Sequence, residues 1–223
     1  IIEESTENEN LLINYIDEGE AHIKLSEFKQ AALKLACAHE LRPNEPYILQ
    51  RLVLATYKSK EPSELESLMQ ARTLLAQLSP ADSNDPETTG LAGAIQKRLW
   101  LLTSDPVQLD KAIEYYNRGF TLKKDYYNGE NLASCLNLKS EIQGDPNQKT
   151  FYETAAKNTR LKLYDLLNEL IDSHDFGDRN DKKWIYATLA NVCFHLEKND
   201  DGNNNEALFL AEKLASWEKD SYF

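Results

Sequence analysis

Residues 11–43 read LLINYIDEGEAHIKLSEFKQAALKLACAHELRP, and the order of apolar residues within them decides the fold. Leu12, Tyr15, Ile16, Gly19 and Ile23 recur at steps of three and four, the spacing that lines one face of a helix. Phe28, Ala31, Leu35 and Ala38 line a second such face. Ser26-Glu27 interrupts the two stripes. Pro43 closes the second, because proline offers no amide to a helical ladder and pushes the preceding residue out of helical geometry. The stretch is expected to fold as a helical hairpin.

The same arrangement recurs along the chain. Helical spacing covers 47–57 then 65–78, 91–102 then 109–122, 132–142 then 151–171, and 184–196 then 207–217. Breaks fall at Lys60-Glu61-Pro62, at 82–86, at Ser104-Asp105-Pro106, at Gly144-Asp145-Pro146 and in the polar run 199–205, where turn-forming residues cluster. Several place Ser or Asp just ahead of Pro, which suits the cap and first turn of a new helix. About ten helices in five antiparallel pairs are predicted, in one domain over 11–223 behind a flexible acidic end at 1–10.

Tyr15, Gly19, Ala31, Ala38 and Pro43 match, in register, the large and small positions of tetratricopeptide repeats, units of about 34 residues. The first hairpin therefore resembles that family. The resemblance implies an all-α, right-handed superhelical solenoid whose small residues let the helices of a pair approach closely. Later units place the small residue of the first helix at Val53, Gly93, Ala133 and Thr188, and the second-helix alanine at Ala71, Ala112, Ala155 and Ala207. The 112–120 stretch AIEYYNRGF, 125–133 DYYNGENLA and 184–190 WIYATLA are similar to the repeat region shared by apoptosis-signal-regulating MAP kinase kinase kinases, their TRAF-binding region, and by bacterial repeat proteins fused to TIR or caspase-like domains. That likeness, over residues 86–218, implies a regulatory or scaffolding module inside a signalling protein.

Composition bounds the function. The 223 residues are 41% hydrophobic and 28% charged, enough to bury a core without disulfides or metals. A net charge of −12 argues against nucleic acid or an anionic membrane as the main partner, since binding phosphates needs a concentrated positive surface. Cys37, Cys135 and Cys193 lie far apart in apolar helical stretches and read as core residues in a reducing compartment. No apolar run reaches membrane-spanning length and no signal segment opens the chain, so a cytoplasmic location is expected. The start at Ile1 rather than a methionine fits a piece of a longer protein.

No catalytic constellation emerges, and no cofactor or metal is expected. Asp175-Phe176-Gly177 matches the magnesium-binding triplet of protein kinases by chance, for the Gly-rich loop, paired lysine and catalytic loop that give it meaning are missing. Asp172, Asp175, Asp178 and Asp181 lack the spacing of a helix-loop-helix calcium site and read as a solvated loop, and the oxygen-rich run at 199–206 has the composition of an exposed turn, with Glu206 as an early acid of the next helix. His22, His39, His174 and His195 stand in no metal-binding or nucleophile-base spacing.

Among eleven tyrosines, Tyr15 and Tyr116, with Trp184, sit where packing between helices is expected. A partner would lie along the first helices, which line the inner surface of stacked hairpins. Tyr47, Gln50 and Tyr57, Lys97 and Arg98, and Tyr127, Glu130 and Asn137 project onto that wall. Lys97 and Arg98, with Asn131, suit a peptide carboxylate. The expected partner is a protein or peptide, or another domain of the same chain, for which the repeats would act as a spacer or self-association unit.

Overall fold

A computed structural model describes residues 2–197 and 205–220. They fold into α1 (Ile2–Lys24), α2 (Phe28–Leu41), α3 (Pro46–Ser59), α4 (Glu64–Leu75), α5 (Pro86–Thr103), α6 (Pro106–Lys123), α7 (Tyr126–Glu141), α8 (Pro146–Ile171), α9 (Lys182–Glu197) and α10 (Asn205–Asp220). Short 3-10 turns at Ala76–Leu78 and His174–Asp178 extend two of the connections. No strand occurs among the described residues, as the helical spacing predicts.

The turns follow the chemistry written in them. Asp85, Asp105 and Asp145 each stand before a proline and accept from a backbone amide of the first turn, at Thr88 (2.8 Å), Val107 (3.0 Å) and Asn147 (3.0 Å). Asp125 caps α7 through the Asn128 amide. Ser63 caps α4 by accepting from the Glu66 amide, while its hydroxyl donates to the Glu66 carboxylate at 2.6 Å. Such caps satisfy amides that the helix itself cannot. At the opposite ends the chain turns through left-handed residues that are not glycine: Ser26, Lys60, Ser79, Ser104 and Lys124, with φ between 46° and 60°.

The chain forms two compact units, Ile1–Tyr115 and Tyr116–Phe223. The division falls inside α6 rather than in a loop, which is why no linker composition announces it. In the first unit α1 packs on α2, α2 on α3, α3 on α4 and α4 on α5, with α3 also touching α5. Its core joins Leu49, Val53, Tyr57, Leu68, Ala71, Leu75, Leu91 and Ile95. Gly19 allows α1 to close on α2, for a Cβ there would stand 2.7 Å from Leu35 Cγ. In the second unit α7 packs on α8, α8 on α9 and α9 on α10, with α7 also touching α9. Leu163, Leu167, Ile185, Leu189, Val192 and Leu210 form its core.

The expected small positions Val53, Ala31, Ala71, Ala112, Ala133 and Ala207 are buried. The register slips in the last two pairs. Ala156 rather than Ala155 is buried in α8, and Thr188 of α9 is only half-buried while Ile185, Tyr186 and Leu189 face the core. Trp184, expected in the core, is 67% exposed, because it precedes the buried stripe of α9 by one position. The acidic end expected to be flexible lies within α1, from Ile2 onward. The cysteines carry no disulfide. No described helix is long and apolar enough to cross a membrane.

Candidate functional site

On α3 Tyr47 and Lys58 are exposed, with Arg51 and Leu54 partly buried between them, a stripe at steps of four, three and four. Gln50 and Tyr57, expected on this wall, each sit one position before a stripe residue and turn into the contact with α5. Gln50 donates its amide to Asp85 Oδ2 (2.7 Å) and Thr88 Oγ1 (2.9 Å). Tyr57 is 4% exposed in the core of the unit. A small error in phase on a helix moves a side chain by about 100°, enough to exchange the groove for the neighbouring helix.

The stripe is polarised. At its start Arg51 grips Glu20 of α1 with Nε at 2.5 Å and Nη2 at 2.8 Å, and the Tyr47 hydroxyl donates to the same carboxylate at 3.0 Å. Partial burial, then the Glu20 carboxylate, holds the Tyr47 phenol above its ordinary pKa. Glu87 of α5 adds its charge to the surroundings of Arg51. Sequence reasoning missed Arg51 and Glu20, although their types, opposite in charge on successive first helices, were visible.

The other end is cationic. The Arg98 guanidinium lies over the Tyr57 ring, 4.9 Å from its centroid, and donates to its own Ala94 carbonyl at 3.2 Å. The Lys58 ammonium lies 5.8 Å from the Phe28 ring centroid. Partial burial, then the like charges of Arg98 and Lys60, pulls the Lys58 pKa below its ordinary value. Among the described residues neither Lys58 nor Arg98 pairs with a carboxylate, which is unusual in a chain with 37 acids against 25 bases. Lys97 stands beside Arg98 on the half-buried side of α5.

The remaining expected residues belong to the second unit. Tyr127 is half-exposed and meets Tyr116 edge-on, with centroids 6.4 Å apart. Glu130 accepts from Asn191 of α9, and Asn131 donates to the Tyr127 carbonyl at 3.0 Å. With its amide oxygen turned to Arg160 of α8, Asn137 accepts from Nη1 at 3.2 Å and Nη2 at 3.0 Å. Glu130 and Asn137 therefore join α7 to its neighbours as well as facing outward.

The acidic turn before α9 is structural. Phe176 packs edge-on against Tyr186 at 5.6 Å. Asp181 accepts from Arg179 Nε at 2.8 Å and Nη2 at 2.7 Å and from the Tyr126 hydroxyl at 3.0 Å. The hydrogen bond from Arg179 holds the Asp181 carboxyl below the usual carboxylate range, and burial followed by Asp181 pushes the Tyr126 phenol up. The oxygen-rich run at 199–204 lies outside the described residues.

Residues 27–136, from the last connection before α2 into α7, match the family described as Tetratricopeptide Repeats-Sensor. These hairpins are tetratricopeptide-like repeats. Repeats of this kind generally bind proteins or peptides, and the cationic end of the stripe formed by α3 and α5 lies wholly inside the matched residues. No curated protein matches the chain.

Proposed function

We propose that this domain is a non-enzymatic scaffold or regulatory module that holds an acidic protein or peptide segment on the surface formed by its first helices. One observation carries the reading. Arg98 and Lys58 stand together in the first unit with no carboxylate paired to either among the described residues, and an anionic group from outside would relieve their mutual repulsion. The Tyr57 face fixes the Arg98 guanidinium, so little rotamer freedom is lost when a carboxylate docks. Tyr47, 47% exposed at the far end of the stripe, offers an aromatic contact of the kind favoured at interfaces.

The test is binding of labelled peptides of graded acidity, followed by fluorescence anisotropy, to the domain and to its Lys58→Glu, Arg98→Glu double variant. Acidic peptides should bind most tightly, and the variant should lose at least about tenfold. Equal affinity for basic and acidic peptides, or no difference between domain and variant, would overturn the reading.

A second reading, an intramolecular spacer or self-association unit for an attached kinase, TIR or caspase-like domain in a cytoplasmic signalling protein, draws on the likeness to kinase TRAF-binding regions. It is favoured by the exposed Trp184, Leu208 and Phe209 of α9 and α10, large apolar side chains suited to covering by another surface.

A further inference from the structure

Lys58, in the last turn of α3, borders an open hollow of about 410 Å³ whose walls also carry Phe28, Glu27, Lys29 and Ser59. Its ammonium lies 5.8 Å from the Phe28 ring centroid. The other polar side chains named there are already engaged. Glu27 Oε2 lies 2.6 Å from His22 Nδ1, and Lys29 donates to Glu61 at 3.3 Å. Ser59 donates to the Thr56 carbonyl and accepts from the Glu61 amide.

Neighbouring lysines show the contrast. Lys34 pairs with Glu18 at 2.6 Å, and Lys60 pairs with Glu64 at 3.1 Å. Lys58 pairs with no carboxylate among the described residues, and the two charges that act on it, those of Arg98 on α5 and of Lys60, are both positive. An ammonium partly withdrawn from water beside two cations gives up its proton more readily than one in bulk solvent. Burial first, then Arg98 and Lys60, pull the Lys58 pKa down, while the hydrogen bond to Glu18 holds that of Lys34 up. Only the neutral amine has a lone pair with which to attack carbon. A lysine near other cations and partly out of water is the arrangement that supplies it. Lys58 is still exposed, so a reagent can reach it.

We propose that Lys58 is an acyl-acceptor site, modified by acyl phosphates. The cations beside it suit that donor, for they draw in its negative charge and steady the phosphate as it leaves. In the reaction Nζ attacks the acyl carbon, an amide C–N bond forms, and the bond from that carbon to the phosphate oxygen breaks. The phosphate departs with the electron pair. Of the two protons the ammonium loses, one goes to the released phosphate and one to solvent. The product is neutral at Lys58, so acylation removes one of the two cations of the acidic-peptide surface and acts as its off-switch. That consequence rests on the peptide reading given above; the reaction itself does not.

The purified chain is treated with a limiting amount of acetyl phosphate, digested with a glutamate-specific protease, and read by mass spectrometry for the fraction acetylated at each lysine. Near neutral pH Lys58 should react at least about threefold faster than Lys34 and Lys60. Its rate should also level off at a lower pH than that of Lys34. Arg98→Met should slow Lys58 by at least about threefold and leave Lys34 unchanged. A Lys58 rate no greater than those of Lys34 and Lys60 would overturn the proposal, as would an unchanged rate in a folded Arg98→Met chain. If that variant does not fold, the pH profile of the native chain decides in its place, and a plateau no lower than that of Lys34 overturns the site. Acidic-peptide binding should fall at least about threefold once Lys58 is acetylated, and should not fall in a Lys58→Arg chain treated alike. Unchanged binding with Lys58 fully acetylated would overturn the off-switch alone.

Discussion

The guanidinium of Arg98 stands over the ring of Tyr57, so one residue of α5 is held by the buried face of another on α3. The contact explains how a cation without a carboxylate partner is kept in place at the edge of a core.

Its strength can be measured directly. In a double-mutant cycle of Tyr57→Leu and Arg98→Met followed by urea unfolding, the coupling should be about 0.5–1 kcal/mol, the size expected of a cation over an aromatic face near the surface. A coupling indistinguishable from zero would mean that Tyr57 fills space and leaves Arg98 unfixed.

Two glycines should resist even the smallest side chain. A Cβ at Gly19 would lie 2.7 Å from Leu35 Cγ, and one at Gly129 would lie 2.7 Å from Leu163 Cδ2 and 2.8 Å from two Phe120 ring carbons. Gly19→Ala and Gly129→Ala are each expected to cost about 1–3 kcal/mol by overpacking, offset in part by better helix propensity. Gly144→Ala, where a Cβ would meet nothing within 4 Å, should change stability by less than about 0.5 kcal/mol and serves as the control. Thermal unfolding of the three variants separates close approach from a general dislike of alanine.

Asp85 does two jobs with one oxygen. Its Oδ2 accepts from the Thr88 amide and hydroxyl at the start of α5 and from Gln50 of α3. Asp85→Ala should therefore exceed the cost of an ordinary lost cap and reach about 2–3 kcal/mol in chemical denaturation, because the Gln50 amide loses a partner while buried. A loss of about 0.5 kcal/mol or less would show that Gln50 finds another acceptor.

Acid should uncouple α9 from α7 locally. The folded Asp181 carboxyl titrates below its unfolded value because Arg179 and Tyr126 donate to the charged form. Its stabilising contribution is therefore complete above the unfolded pKa, about 4, and is lost as pH falls through the lower folded value. The stability difference between the wild type and Asp181→Asn should be greatest near neutrality and shrink steadily below about pH 4. A difference that is flat across that range would remove Asp181 from the acid response.

The hairpins were legible because their signals are local. Apolar steps of three and four, and aspartates ahead of prolines at 85–86, 105–106 and 145–146, report on a few neighbouring residues and fix where helices begin and which side they bury. The surface was less legible because it depends on phase between helices. Gln50 and Tyr57 lie one residue from the partly buried Arg51 and the exposed Lys58, and Trp184 one before the buried Ile185. The buried Arg160 carried no signal at all. An arginine in an amphipathic helix looks solvated until the neighbouring helices are seen to close over it.

The left-handed joints at Ser26, Lys60, Ser79, Ser104 and Lys124 bear on how far this chain could still be improved. Each holds an L side chain where glycine would sit without steric cost, a penalty of about 1 kcal/mol apiece, partly returned because the bulkier residue restricts the unfolded chain. The residues lie between helices, and Lys60 also adds its charge to Lys58 in the Arg98 cluster. Ser79, Ser104 and Lys124 form a reserve of thermal tolerance that selection, or an engineer, could draw on at the joints of the repeats.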